Sequence, residues 1–127
     1  MLERGGTVPH FEVTALDGRT FKYSTIWQRR MLVLIALPDA GLPGTDEYIS
    51  ALSASAPAFR DLETECVITR DIVPGINAPA ALVADQWGEV VYAASARAVA
   101  DLPPAGELLE WAEHVRHRCP ECEGEAR

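Results

Sequence analysis

Met31-Leu32-Val33-Leu34-Ile35-Ala36-Leu37 is a continuous apolar run, bounded by Gln28-Arg29-Arg30 on one side and Pro38-Asp39 on the other. A run this short between polar flanks suits a strand buried on both faces, which places it at the centre of a sheet. The segment that follows, Pro38-Asp39-Ala40-Gly41-Leu42-Pro43-Gly44-Thr45, leaves the strand and opens a helix, where open α/β sheets usually carry their chemistry. It holds no Cys, His or Lys, and its polar side chains are one Asp and one Thr. The fold is therefore easier to read than the function.

Upstream of the run, residues 8–16 alternate loosely between apolar and polar, meet the tight-turn pair Asp17-Gly18, and return through Arg19-Thr20-Phe21-Lys22-Tyr23. This pattern predicts an N-terminal hairpin. Ser24-Thr25-Ile26-Trp27 allows one helical turn into the central strand, with Trp27 expected to pack against the sheet. Downstream, Gly44 or Thr45 can cap a helix that has Asp46 and Glu47 in its first turn. Tyr48, Ile49, Leu52, Ala56, Phe59 and Leu62 supply its amphipathic face, and Pro57 predicts a kink or a split into two short helices.

Cys66-Val67-Ile68-Thr69 reads as a second strand and residues 70–77 as a loop. Ala80-Ala81-Leu82-Val83-Ala84 and Glu89-Val90-Val91-Tyr92-Ala93 flank the turn Asp85-Gln86-Trp87-Gly88 and predict an antiparallel pair. After Pro103-Pro104 a final helix is expected over 105–118, packing through Leu108, Leu109, Trp111, Ala112 and Val115.

At 127 residues the chain suits one domain, expected over 1–118, followed by an acidic tail at 119–127. Composition is ordinary for a globular protein, at 48% hydrophobic and 24% charged, and no apolar run approaches the ~18 residues of a membrane span. The first six residues lack a hydrophobic signal core, so a cytoplasmic location is expected. A net charge of −8 without a compensating basic stripe argues against nucleic acid as a partner. Three cysteines, an odd number, do not make a secreted disulfide framework.

Two stretches resemble a known group. Gly5-Gly6-Thr7-Val8-Pro9-His10-Phe11-Glu12-Val13, through Leu16-Asp17-Gly18-Arg19-Thr20-Phe21, resembles the opening of the peroxiredoxin and AhpC/TSA-type redoxins. Ala78-Pro79 followed by Leu82-Val83-Ala84-Asp85-Gln86-Trp87-Gly88 resembles their proline, apolar strand and D-x-x-G turn. The resemblance covers roughly residues 5–115 and implies an α/β thioredoxin-like fold with an N-terminal β-hairpin, a central mixed sheet and flanking helices. It also implies that Pro79 is a cis proline facing the active site.

At the site the resemblance implies, the thiols are missing. The group's C-x-x-C falls on Leu42-Pro43-Gly44-Thr45, and an alternative alignment sets Gly44-Thr45-Asp46-Glu47 on the peroxidatic C-T-x-E segment. Neither contains a cysteine, and no arginine precedes Pro79, where Asn77 and Ala78 stand. A threonine hydroxyl does not replace a polarisable, partly ionised thiolate.

Reactive side chains concentrate instead in His114-Val115-Arg116-His117-Arg118-Cys119-Pro120-Glu121-Cys122. The Cys119-x-x-Cys122 spacing suits redox work, although the negative end of a helix dipole raises a thiol's pKa and only Arg116 and Arg118 oppose it. His114 and His117 lie one helical turn apart, and with the two thiolates they offer four ligands suited to tetrahedral zinc, within one chain or shared in a dimer. The plain reading is an exposed tail with incidental thiols. Cys66 reads as a small hydrophobe, His10 as solvated or packed, Asp39 and Asp46-Glu47 as caps, and Asp85 as part of its turn. Trp87, if exposed beside Leu42 and Pro43, would make an apolar patch.

Two functions follow from the sequence. One is a thiol-redox protein exchanging disulfides with another protein through Cys119 and Cys122. The other is a non-catalytic scaffold whose His/Cys tail holds a metal or joins two copies.

Overall fold

The computed structural model describes residues 2–39 and 41–126, with side chains described as far as His117. Among the described residues six strands and three α-helices follow one another. A hairpin comes first, β1 (Glu12–Thr14) with β2 (Thr20–Lys22), and one 3₁₀ turn at Tyr23–Thr25 leads into β3 (Met31–Ala36). Then come α1 (Thr45–Ala54), α2 (Ala56–Asp61), β4 (Thr64–Thr69), β5 (Ala80–Ala84), β6 (Val90–Ser95) and α3 (Ala105–Ala126). The main sheet has the order β4-β3-β5-β6, with β3 parallel to β4 and antiparallel to β5, and β5 antiparallel to β6.

The apolar run forms β3, and both of its faces are covered. Leu32, Leu34 and Ala36 enter one core beneath the hairpin, with Val8, Phe11, Val13, Tyr23 and Leu82. Met31, Val33, Ile35 and Leu37 enter a second core beneath the helices, with Leu52, Phe59, Val83, Leu108 and Val115. Successive side chains of a strand point to opposite faces, so a strand between two cores cannot afford a polar position.

Pro57 acts as expected on the helix that follows. α1 ends at Ala54, and Pro57 occupies the first turn of α2, where its missing N–H has no intrahelical partner to lose. In the turn between β5 and β6, Asp85 is buried and accepts the N–H groups of Trp87 and Glu89, both at 2.9 Å, while Gly88 supplies a φ of +87°. Among the described residues no helix is long and apolar enough to cross a membrane.

Candidate functional site

Strand polarity divides the possible chemistry between two ends of the sheet. Where β3 ends and β5 begins, Ala36 pairs with Ala80, so the loop after β3 and the chain before β5 lie at the same, upper end. This end carries Leu42, Pro43, Gly44, Thr45 and Pro79. The Ala78–Pro79 peptide bond is cis, and the Ala96 N–H donates to the Pro79 carbonyl at 3.1 Å.

The loop's polar groups are already engaged. Thr45 is buried, and its hydroxyl donates to the Leu42 carbonyl at 2.7 Å, which turns it away from any incoming group. Asp39 accepts the Gly41 N–H at 2.9 Å and so acts as a turn former. Gly44, in the left-handed region at φ +85°, sets the entry to α1, and Asp46 and Glu47 complement the positive end of the helix dipole. The loop keeps a helix N-terminus that would acidify a thiol, but it has no thiol to acidify.

Cys66 lies on β4 opposite Val33 and packs into the core beneath the helices. Burial, with a smaller push from the neighbouring Glu65 carboxylate, drives its thiol up to about 12. At pH 8 such a group holds about a thousandfold less thiolate than an ordinary cysteine. Peptide mapping after iodoacetamide treatment at pH 8 is therefore expected to find Cys66 unmodified in the folded protein and modified once denaturant is present. Rapid labelling without denaturant would contradict the burial.

At the lower end, the sequence expectations for two tryptophans need correction. Trp27 does not pack under the sheet but is 38% exposed, its indole N–H donating to the Trp87 carbonyl at 3.1 Å and its ring meeting the edge of His10 at 5.2 Å. The 3₁₀ turn brings Tyr23 and Ile26, three residues apart, to the same inward side and leaves Trp27 on the rim. Trp87, 45% exposed, follows the end of β5, whereas Leu42 and Pro43 lie beyond the end of its antiparallel partner β3. The apolar patch with Leu42 and Pro43 therefore does not form.

Sequence reading missed Tyr23 altogether. It is fully buried, stacked on Phe11 at 5.6 Å and tilted against His10 at 5.7 Å. Burial, and then the Asp85 carboxylate, push its phenol up to about 12. Its signal was the i, i+3 spacing to Ile26, which is too short to read as amphipathic in a stretch of one turn.

His114 and His117 are exposed on α3 and, with Glu110 and Glu113, line an open groove of about 600 Å³. The His114 ring meets Trp111 edge-on at 6.1 Å, and Trp111 stacks on Tyr92 at 5.1 Å. Among the described residues no group of three or more His, Cys, Asp or Glu side chains is placed to hold a metal ion. The expectations for Cys119 and Cys122, as redox pair or as metal ligands, lie outside the described side chains.

No family model matches this sequence, and no curated protein matches it either. Solved structures do. The reduced 2-Cys peroxiredoxin of Plasmodium vivax superposes with a TM-score of 0.75 at 13% identity, over 93% of this chain and 84% of that one. AhpC of Mycobacterium tuberculosis gives 0.74 at 13% identity, over 94% and 96%, and a putative thioredoxin of Neisseria meningitidis gives 0.64 at 12%, over 99% and 98%. The fold is thioredoxin-like, of the peroxiredoxin kind. At these identities the likeness concerns the fold, and what the redoxin fold does here depends on the side chains it carries. The cis Pro79 and the N-terminus of α1 stand at the upper end of the sheet, next to a loop without a cysteine.

Proposed function

We propose that this redoxin-fold chain is a thiol-disulfide exchange protein whose working pair is Cys119 and Cys122, carried on the tail 119–127 of a single domain spanning 1–118. One observation carries the reading: no competent thiol stands elsewhere. The loop after β3 contains no cysteine, and Cys66 is held protonated by burial. The C-x-x-C spacing allows one thiolate to open a disulfide and the other to resolve it, and an exposed Arg116 precedes the pair. The reading fits a reducing compartment such as the cytoplasm, and a protein disulfide, or a second copy of the chain, as the partner.

A second reading has one observation in its favour. His114 and His117 are both exposed on α3 directly before the cysteines, and with them they would give a ligand set suited to zinc, as a structural metal or a link between two copies.

Native mass spectrometry of protein purified without reductant or metal separates the two. A chain about two mass units light, restored by reductant, is the expected result for exchange chemistry. A zinc-bearing species, lost with its oligomeric state on chelation, overturns that reading in favour of the second. A metal-free chain with every thiol reduced counts against both.

A further inference from the structure

We infer that the outer face of α3 is half of a zinc site, in which His114 and His117 from each of two copies of this chain bind one ion between them. The inference rests on the metal reading above for its two histidines alone and asks nothing of the cysteines.

Helical spacing gathers the ligands. At about 100° per residue, Glu110, Glu113, His114 and His117 fall within an arc of roughly 100° on one side of α3. Leu108, Ala112 and Val115, buried in the core beneath the helices, lie on the opposite side. The four polar side chains are therefore all exposed, and they line the open groove of about 600 Å³ on the face turned away from the domain. His114 and His117 are one turn apart, with Cβ atoms about 5–6 Å from each other, near enough for both imidazoles to reach a single ion.

These donors are also unspent. Among the described residues, no ion pair or hydrogen bond uses Glu110, Glu113, His114 or His117. Trp111 meets the His114 ring edge-on and is itself stacked on Tyr92 of β6, so this imidazole is held against the sheet. Arg4 borders the groove beside Glu110 and His114 and offsets one carboxylate. That leaves Glu113, one turn before His117, to favour a cation.

The need for a second copy follows from the ligand count. Zinc takes four ligands in a tetrahedron, and among the described residues one chain brings no three His, Cys, Asp or Glu side chains to a common point. Two imidazoles are half a set. A two-fold axis passing between His114 and His117 supplies the other half from the same face of a second copy, with the two α3 helices crossing antiparallel. Charge decides when this contact forms. Each chain carries a net charge of −8, and the meeting faces bring the Glu110 and Glu113 carboxylates of both copies together, so without an ion the copies repel. Two positive charges at the centre of the contact reverse that balance, and association depends on the metal.

Native mass spectrometry with added zinc and reductant tests the site by stoichiometry. A dimer holding one zinc is expected for the unaltered chain, and equally for the Cys119→Ser, Cys122→Ser double variant. His114→Gln and His117→Gln, both at exposed positions, are each expected to raise the zinc concentration for half-dimerisation at least about tenfold, because even residues that only orient a ligand are worth this much. One zinc per chain, lost when the two cysteines are replaced, overturns the inference and leaves the metal reading above standing. A zinc dimer that survives both histidine changes also overturns it. No zinc on the unaltered chain removes the inference together with the metal reading.

Discussion

Stability is expected to fall steeply as the pH rises from about 9 toward 12. Two acids shielded from water, Tyr23 fully and Cys66 in part, set this window. The Cys66 thiol moves from an ordinary value of 9.0 up to about 12, and the Tyr23 phenol from 10.0 up to about 12, in both cases mainly because burial penalises the charged form. Between the two values the unfolded chain releases protons that the folded protein keeps. Raising the pH therefore favours unfolding. The stability these groups contribute is complete below pH 9 and is gone once the pH has passed the folded values.

The size of the effect decides whether it can be seen. One pKa unit corresponds to about 1.4 kcal/mol, so shifts of about three and two units together contribute on the order of 7 kcal/mol, comparable to the whole stability of a small domain. Tyr48 adds to it in the same direction. Its phenol is also raised by burial, and ionisation would remove the hydrogen that it donates to the Pro103 carbonyl. Urea unfolding at pH 8, 9.5 and 11 should show the midpoint falling at each step, and Cys66→Ala should flatten the part of the curve that starts near pH 9. A midpoint constant across that range would mean that the Cys66 and Tyr23 sites are wetter than the structure has them.

The central elements were legible in the sequence because single residues forced them. The run 31–37 had no polar position to spare and lies between two cores. Pro57 could stand only in the first turn of a helix and split α1 from α2. Edges were less legible. Strand β4 starts at Thr64, two residues before the β-branched run, because Met31 pairs with Thr64 in the parallel register with β3, a constraint no local pattern contains. Trp27 and Trp87 were misplaced for a related reason. Each was assigned by its own neighbours, whereas the place of Trp27 depends on which side of the 3₁₀ turn faces inward and that of Trp87 on which end of an antiparallel pair it follows. The candidate site divides in the same way. The missing thiols of the loop were plain from the sequence, whereas the burial that keeps the Cys66 thiol protonated comes from the helices packed over β4, which no local pattern contains.

Cys119→Ser is expected to reduce disulfide exchange to the uncatalysed background. The size of this loss follows from how few thiols are competent. If Cys66 is protonated and enclosed, and the loop after β3 has no sulfur, then removing one member of the pair removes the route by which a substrate disulfide is both opened and released. A serine hydroxyl, with an ionisation far above neutral pH, does not take over. The two single variants should also differ from Cys66→Ala in kind. In Cys119→Ser or Cys122→Ser, the sulfur that remains can form a mixed disulfide but nothing resolves it, so whichever of the two is the attacking thiol should accumulate as a covalent adduct with an oxidised peptide, visible by mass. Cys66→Ala exchanges one partly buried small group for another and should leave the rate unchanged within twofold. Full exchange in Cys119→Ser would remove the redox reading, and loss of bound zinc from the same variant would shift the pair to a structural role. A mixed disulfide trapped in only one of the two serine variants would identify the attacking sulfur.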